Sequence, residues 1–311
     1  MNILITGASG QLSSYLFEEA ELRNHEAWGV DLVTPRHQSA EGKVQITDIR
    51  DTSEMIAQLQ GAEAVIHTAA QVSVQKSLED PLYDVDINVM GTVSVLKAAI
   101  AAKVKKFIFI SSAAVYGNPL STPVNELHPV NPLSVYGTSK LAAENYVRMF
   151  ENTYGLQTVI IRPFNFYSPR AEVDSPYSGV ISKFIDCAAH NKPIIINGDG
   201  QQTRDFLHAQ DVSKMIYTAL ESEVSGVTFN CGSGQAVSIE DLAKKVAKLA
   251  SNKIEIQHGE PRNADIRYSV ADVQLARDLL DFHTSITLEE GLQELFDASN
   301  QLSAKISMSM Q

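Results

Sequence analysis

Ile3-Leu4-Ile5-Thr6-Gly7-Ala8-Ser9-Gly10-Gln11-Leu12-Ser13 decides how the rest of the chain is read. Three strand-forming apolar residues run straight into a turn with two glycines, and a helix-like stretch follows. Glycine at such a strand-to-helix turn lets backbone N–H groups approach a diphosphate. The helix N-terminus adds partial positive charge at the same place. The spacing is G-x-x-G-x-x-S, so Ser13 stands where the usual fingerprint has its last glycine. Serine is small enough for the helix still to pack on the strand. A ligand-free tight turn uses the same glycines, so the motif carries weight only inside a β-α-β unit.

The neighbouring sequence supplies that unit. Short Val- and Ile-rich runs recur at Trp28 to Val30, Val44 to Ile46, Ala64 to His67, Phe107 to Ile110 and Thr158 to Ile161. They are apolar on both faces, as in a strand buried between two layers of helices. Between them lie stretches of helical spacing, such as Val89, Val93, Leu96 and Ala99-Ile100. The alternation predicts an α/β fold with a Rossmann-type, doubly wound parallel sheet. From Pro169 to Tyr177 the text becomes turn-rich. A helix-like Asp211 to Leu220 and a strand-like Val227 to Asn230 then return toward the main sheet. A helix-rich segment starts near Ser238, and a frayed end is expected from Ser303.

Asp31 closes the second strand, about twenty residues past the loop, where a carboxylate accepts the ribose hydroxyls of a dinucleotide. It would repel a 2′-phosphate, which favours NAD over NADP; a cap is the alternative, and Arg36 leaves room for NADP. Asp48-Ile49, after the third strand, would flank an adenine.

The totals narrow the remaining classes. The chain has 311 residues, 44 % of them hydrophobic, and a formal charge of −12. An acidic surface favours neither nucleic acid nor an anionic membrane. The two cysteines, Cys187 and Cys231, form no CxxC pair, so a disulfide framework or metal site is not expected. No run of about 18 apolar residues and no secretory leader pattern is seen, which reads as a cytoplasmic protein. His67, His128 and His208 lack metal spacing and are read as structural.

Tyr136 and Lys140 lie four apart in Tyr-Gly-Thr-Ser-Lys, on one face of a helix. An ammonium beside a phenol favours phenolate, so the pair is expected to lower the Tyr136 pKa and make it a base. Ser111-Ser112 closes the fifth strand, and strand carboxyl ends are where such sheets bind ligands.

The glycine loop, the acidic strand end, SSAAVYG (111–117), YGTSK (136–140), RPFNFYSPR (162–170), QTRDF (202–206), FNCGSG (229–234) and PRNADIRYSVAD (261–272) occur in the order of the extended short-chain dehydrogenase/reductases. The resemblance spans roughly residues 3 to 282. It implies Ser112, Tyr136 and Lys140 as the catalytic trio. It implies NAD contacts from Gly7, Gly10, Gln11, Leu12, Asp31, Asp48, Ile49, Thr68, Ala69, Ala70, Asn88, Ser111, Tyr136, Lys140, Pro163 and Phe164. For a nucleotide-sugar substrate it implies Ser112, Tyr136, Asn165, Val180, Asn197, Arg204, Arg262, Asp265 and Ser269. Guanidinium forks suit a diphosphate. It further implies a NAD domain of residues 1–165 with 206–232, a smaller mixed α/β substrate domain of 166–205 with 233–311, and a homodimer through helices near 85–102 and 136–153.

The resemblance also bears on the reaction. Related 4,6-dehydratases carry Asp-Glu after the serine, and related decarboxylases usually an acid; here stand Ala113-Ala114. What remains is a 4-epimerase: Tyr136 takes the 4-hydroxyl proton, hydride leaves C4 for the cofactor, and the 4-keto sugar turns and takes it back on its other face. The alternatives are a 4-keto reductase, an epimerase of a GDP- or dTDP-sugar, and a non-catalytic dinucleotide sensor. Asn197 stands where uridine-specific relatives often have an aromatic, which leaves the base open. Ser269, where relatives with a tyrosine close the sugar pocket, leaves room for an N-acetyl group.

Overall fold

The computed structural model describes residues 1–171, 179–261 and 266–309, with side chains described through residue 301. A seven-stranded sheet forms its centre: β1 (Asn2–Thr6), β2 (Glu26–Asp31), β3 (Val44–Ile46), β4 (Ala64–His67), β5 (Lys106–Ile110), β6 (Gln157–Pro163) and, far along the chain, Val227–Cys231. Three short strands of the smaller region precede that last one: β7 (Asn165–Tyr167), β8 (Ile194–Asn197) and β9 (Thr203–Arg204). With β10 (Phe206–His208), they make Val227–Cys231 strand β11; β12 (Val237–Ser238) and β13 (Ile256–Gly259) follow. The large sheet runs β11-β6-β5-β4-β1-β2-β3, and every pairing in it is parallel. All six strands read from the apolar runs are present.

The helices are α1 (Gln11–Leu22), α2 (Thr52–Gln58), α3 (Val74–Glu79), α4 (Pro81–Val85), α5 (Thr92–Ala101), α6 (Val135–Tyr154), α7 (Val180–Ala189), α8 (Ala209–Glu221), α9 (Ile239–Ala247), α10 (Gln274–Leu280) and α11 (Leu288–Ser309). A π-helical turn, Asp86–Gly91, joins α4 to α5. The final helix runs through the segment expected to fray. After Gly291 no glycine or proline interrupts it, and Leu, Glu, Gln and Ala favour helix.

Strand pleating explains the double apolar character. Ile3 and Ile5 point to one face with Leu16 and Phe17 of α1 and Met215 and Ile216 of α8. Leu4 points to the other, with Val95 and Leu96 of α5 and Val147 and Phe150 of α6. A separate core gathers Phe184, Ile196, Leu242, Val246 and Leu292 in a smaller mixed α/β region, whose strand pairs are β10–β7, β12–β9 and β13–β8. The strand order reverses between β1 and β4, and ligands of such sheets bind outside the carboxyl ends at that point.

Candidate functional site

The glycine loop lies at the reversal. Gly7 has φ +66°, and a Cβ on it would come 2.7 Å from the Ala69 backbone, so the turns after β1 and β4 meet with no side chain between them. Thr68 ties them together, its hydroxyl donating to the Thr6 carbonyl at 2.6 Å. Ser13 packs fully buried, and its hydroxyl reaches the Gly7 carbonyl at 2.8 Å. The serine therefore replaces the third glycine without opening the helix–strand contact. Gly10 precedes α1 and offers no side-chain cap. The first-turn N–H groups there are free of a capping side chain and suit a diphosphate. Gln11 is half-buried and donates to Ser168 Oγ at 2.9 Å; Leu12 is buried in the core beneath.

Asp31 ends β2 as expected. Its carboxylate accepts the amides of Ser9 (2.9 Å), Leu32 (2.6 Å) and Val33 (3.2 Å), so it also organises the phosphate loop. Asp48 is clamped by Arg50, whose hydrogen bonds hold its carboxyl below the usual carboxylate range. Ile49 beside it is buried. Together the loop, Asp31 and the β4 turn fit a dinucleotide.

At the neighbouring strand end, Ser112 leaves β5 in extended conformation and accepts the Ala114 amide at 3.1 Å, starting a 3-10 turn. Helix α6 begins after Pro132 because Ser134 caps it, accepting from Gly137 N at 3.0 Å. Ser77 of α3 accepts from Tyr136 N at 3.1 Å. Gly137 lets the helix start lie against the turn: a Cβ there would be 2.7 Å from the Ala114 carbonyl. The result brings the Ser112 hydroxyl and the Tyr136 phenol near each other, with Lys140 one turn on. The Lys140 ammonium sits over the Phe109 ring, 4.5 Å from its centroid.

The titration of this pair corrects the sequence expectation. Burial pushes the Tyr136 phenol up to about 12; the Ser112 hydroxyl opposes this and the negative charge of Asp84 adds to it. Burial pulls the Lys140 amine down to about 8, against Glu144 and Asp84. Loss of solvent outweighs proximity, so the protein's own groups do not lower the phenol.

Pro163 and Phe164 are buried at the end of β6, beside Cys231 of β11. Asn88 is buried and tied to Gln71 of the β4 turn: its Oδ1 accepts Gln71 N at 2.8 Å and its Nδ2 donates to Gln71 O at 3.0 Å. Ala69 and Ala70 lie half-buried in the same turn. The Ser111 hydroxyl donates to Glu144 at 2.6 Å, into the protein.

The substrate-side residues are spread over the smaller region. Asn165 is exposed on β7, Val180 is half-buried at the start of α7, and Asn197 ends β8. Arg204 on β9 donates to the carbonyls of Thr203 (2.7 Å) and Ile266 (2.6 Å). Ser269 is half-buried, just before Val270 and Ala271, which pair with Val124. Arg262 and Asp265 lie outside the described residues. His67 is fully buried between the Thr6 and Thr92 hydroxyls and pushed down to about 3 by burial, consistent with a neutral structural role. Among the described residues no cluster of His, Cys, Asp and Glu could hold a metal, and no helix is long and apolar enough to cross a membrane.

Among the buried carboxylates not singled out in the sequence are Glu144, Asp84 and Asp205. Glu144 pairs with Arg162, Asp84 sits beneath Asn88, and Asp205 accepts from Ser233 N and Oγ, Gly234 N and Ala271 N. Asp205 thereby binds the FNCGSG loop to the segment that carries Ser269. QTRDF and FNCGSG hint at that pairing; nothing local marks the other two.

The chain matches the family model described as the NAD dependent epimerase/dehydratase family over residues 3–232. It is 34 % identical over 304 residues to the UDP-glucose 4-epimerase of Mycolicibacterium smegmatis, covering 94 % of this chain and 96 % of the relative. It is also 30 % identical over 312 residues to the UDP-N-acetyl-alpha-D-glucosaminuronate decarboxylase of Bacillus cytotoxicus, covering 94 % and 95 %. Among solved structures, it is similar to the Thermotoga maritima UDP-glucose 4-epimerase with UDP-glucose (TM-score 0.92, 29 % identity, 97 % of this chain and 100 % of that one). It is similar too to the Methanobrevibacter ruminantium UDP-N-acetylglucosamine 4-epimerase in complex with UDP-N-acetylmuramic acid (TM-score 0.89, 28 % identity, 97 % and 98 %). With the loop, the strand end and the serine–tyrosine–lysine gathering of that family in place, the chain is an enzyme of the NAD-dependent epimerase/dehydratase family.

Proposed function

We propose that this enzyme interconverts the 4-epimers of a UDP-sugar, with UDP-N-acetylglucosamine and UDP-N-acetylgalactosamine among its substrates and UDP-glucose and UDP-galactose as further candidates. The observation that carries the reading is the approach of Ser112 and Tyr136 at the strand ends, with Lys140 one turn away and only Ala113-Ala114 after the serine. Related dehydratases carry an acid pair there and related decarboxylases usually an acid, and alanine supplies neither.

In this reading NAD, when bound, accepts hydride from C4 of the sugar and returns it. Tyr136 removes the 4-hydroxyl proton and later gives it back to the 4-oxygen, once the keto sugar has turned to present its other face to the cofactor. Ser112 holds the reacting oxygen. Lys140 offsets the negative charge that forms on the phenol. Gly7, Gly10 and the α1 N-terminus hold the cofactor diphosphate, and Asp31 its ribose.

Residues 1–165 with 206–232 are assigned to the cofactor, and 166–205 with 233–311 to the nucleotide sugar, with Asn165, Val180, Asn197, Arg204, Arg262, Asp265 and Ser269 as contacts. A homodimer through the helices near 85–102 and 136–153 is supported by the exposed Val85, Met90, Tyr146 and Met149 there. Incubating purified protein with each UDP-sugar, without reductant, and separating the products tests the reading. Epimer formation supports it; loss of water or carbon dioxide, or no conversion of any UDP-sugar, overturns it.

A further inference from the structure

Ser112 caps the 3-10 turn Ala113–Tyr116, and Tyr116 closes it, so one short turn carries a hydroxyl at each end. The Tyr116 ring is buried, and its hydroxyl reaches across to β11, donating to Asn230 Oδ1 at 2.6 Å. Asn230 is itself fully buried. Its Nδ2 donates to the Val124 carbonyl at 2.8 Å and to the Asp272 carbonyl at 3.3 Å, and its backbone N–H to Glu126 Oε1 at 2.8 Å. Val124 and Asp272 lie on two distant segments that pair here: Val124 N donates to Val270 O and Asp272 N to Val124 O, both at 2.8 Å. Val115, Tyr116, Val124, Phe164 and Ala271 pack as one apolar cluster around these bonds. Ser269 directly precedes the pairing.

The direction of the relay is fixed from its far end. A guanidinium has donors only, and a phenol has one proton to give. Arg162 Nη1 donates to the Tyr116 oxygen at 2.9 Å, so Tyr116 has to pass its own proton to Asn230. Burial holds that proton on the phenol, above its ordinary value and against the pull of Arg162. With Oδ1 accepting, Nδ2 faces the two carbonyls. A buried carbonyl left without a donor is costly, so both segments stay where the one amide reaches them.

We propose that Asn230 is the positioning residue that sets the segment carrying Ser269 against the turn carrying Ser112, and thereby how closely the site fits the sugar. The inference rests on the roles proposed above for those two serines.

Hydrogen–deuterium exchange of the full-length, cofactor-loaded protein reads that placement. In Asn230→Leu the amides of Val124 and Asp272 are expected to exchange about tenfold faster or more, while those of the glycine loop, residues 7–12, keep their rates. Tyr116→Phe removes only the hydroxyl that orients the amide and is expected to move the same two amides in the same direction. Asn230→Ala serves if the leucine variant does not fold. Initial rates on UDP-N-acetylglucosamine give the second readout. KM is expected to rise about fivefold or more with kcat within about twofold, whereas a mere loss of folded protein lowers kcat and leaves KM alone. Unchanged exchange at Val124 and Asp272 in a folded Asn230 variant overturns the proposal. So does an equal rise in the glycine loop, or faster exchange with KM unmoved. If the unaltered protein converts no UDP-sugar, the epimerase reading fails while the exchange rates still decide the role of Asn230, so the two failures are told apart.

Discussion

Glu144 and Arg162 face each other as a buried, two-pronged ion pair, with Nε–Oε1 at 2.8 Å and Nη2–Oε2 at 2.6 Å. The pair stands where α6 meets the sheet. Ser111 donates to the same carboxylate from the end of β5, and Arg162 passes a hydrogen bond to Tyr116 and on to Asn230 of β11. The helix of Tyr136 and the strand of Ser112 are thereby fixed to one anion. Removing one partner of such a pair leaves the other charge buried and costs about 3–5 kcal/mol. Arg162→Met should therefore lower stability by that amount in urea unfolding. A loss of under about 1 kcal/mol would mean that the charges are solvated.

The acid side of stability should be steep. His67 is held neutral down to about 3, whereas an unfolded histidine takes its proton near 6.5. Its folded pKa is depressed, so the stability it contributes is complete above pH 6.5 and lost progressively as pH falls toward 3. The slope is about 1.4 kcal/mol per pH unit for one such group. Glu144 adds to it at lower pH: burial works to raise its carboxyl, but Arg162, Ser111 and Arg148 hold it below the ordinary value. Urea unfolding at pH 7, 6 and 5 should show the decline, and His67→Gln should flatten it. Equal slopes in both proteins would contradict a buried neutral His67.

Tyr136→Phe should lose turnover by about 100-fold or more, because it removes the group assigned to take the proton. Cofactor content should stay near that of the unaltered protein. A variant that keeps more than roughly a tenth of the rate would remove Tyr136 from the role of base.

In the proposed function Asp31 carries the cofactor preference. Calorimetric titration of protein stripped of cofactor should show NAD bound about tenfold or more tightly than NADP, since a 2′-phosphate would meet a carboxylate. Equal affinities would reduce Asp31 to the loop cap that its bonds to Ser9, Leu32 and Val33 already make it.

The large sheet was readable because its inner strands are buried on both faces, which writes an uninterrupted apolar run; the edge strand β3 is largely exposed. Gly7, Asp31 and the Tyr136/Lys140 spacing were readable for a related reason: their chemistry sits in consecutive residues. Glu144, Asp84 and Asp205 were not. Each is an acidic residue in a segment where a solvent-facing carboxylate would look the same. Only the fold brings Arg162 to Glu144 or Ala271 to Asp205. The phenol of Tyr136 was misjudged for the same reason, since helix spacing reports which groups are near but not how much water they have lost.

Ser269→Tyr should discriminate between sugars. Filling the space before Val270 should cost N-acetylated substrates about 1–3 kcal/mol, roughly tenfold to a hundredfold in kcat/KM, and plain UDP-hexoses far less. An equal fall for both classes would mean that the sugar pocket is shaped elsewhere.

The transient loss and return of hydride at C4 is the centre of the proposed mechanism, and isotope retention tests it most directly. UDP-N-acetylglucosamine carrying deuterium at C4 is incubated with the enzyme, without added reductant, and the product is analysed by mass spectrometry and NMR. The expected result is UDP-N-acetylgalactosamine with deuterium still at C4 and none exchanged with water. Epimer that has lost its deuterium to solvent, or a keto sugar released as the main product, would contradict it.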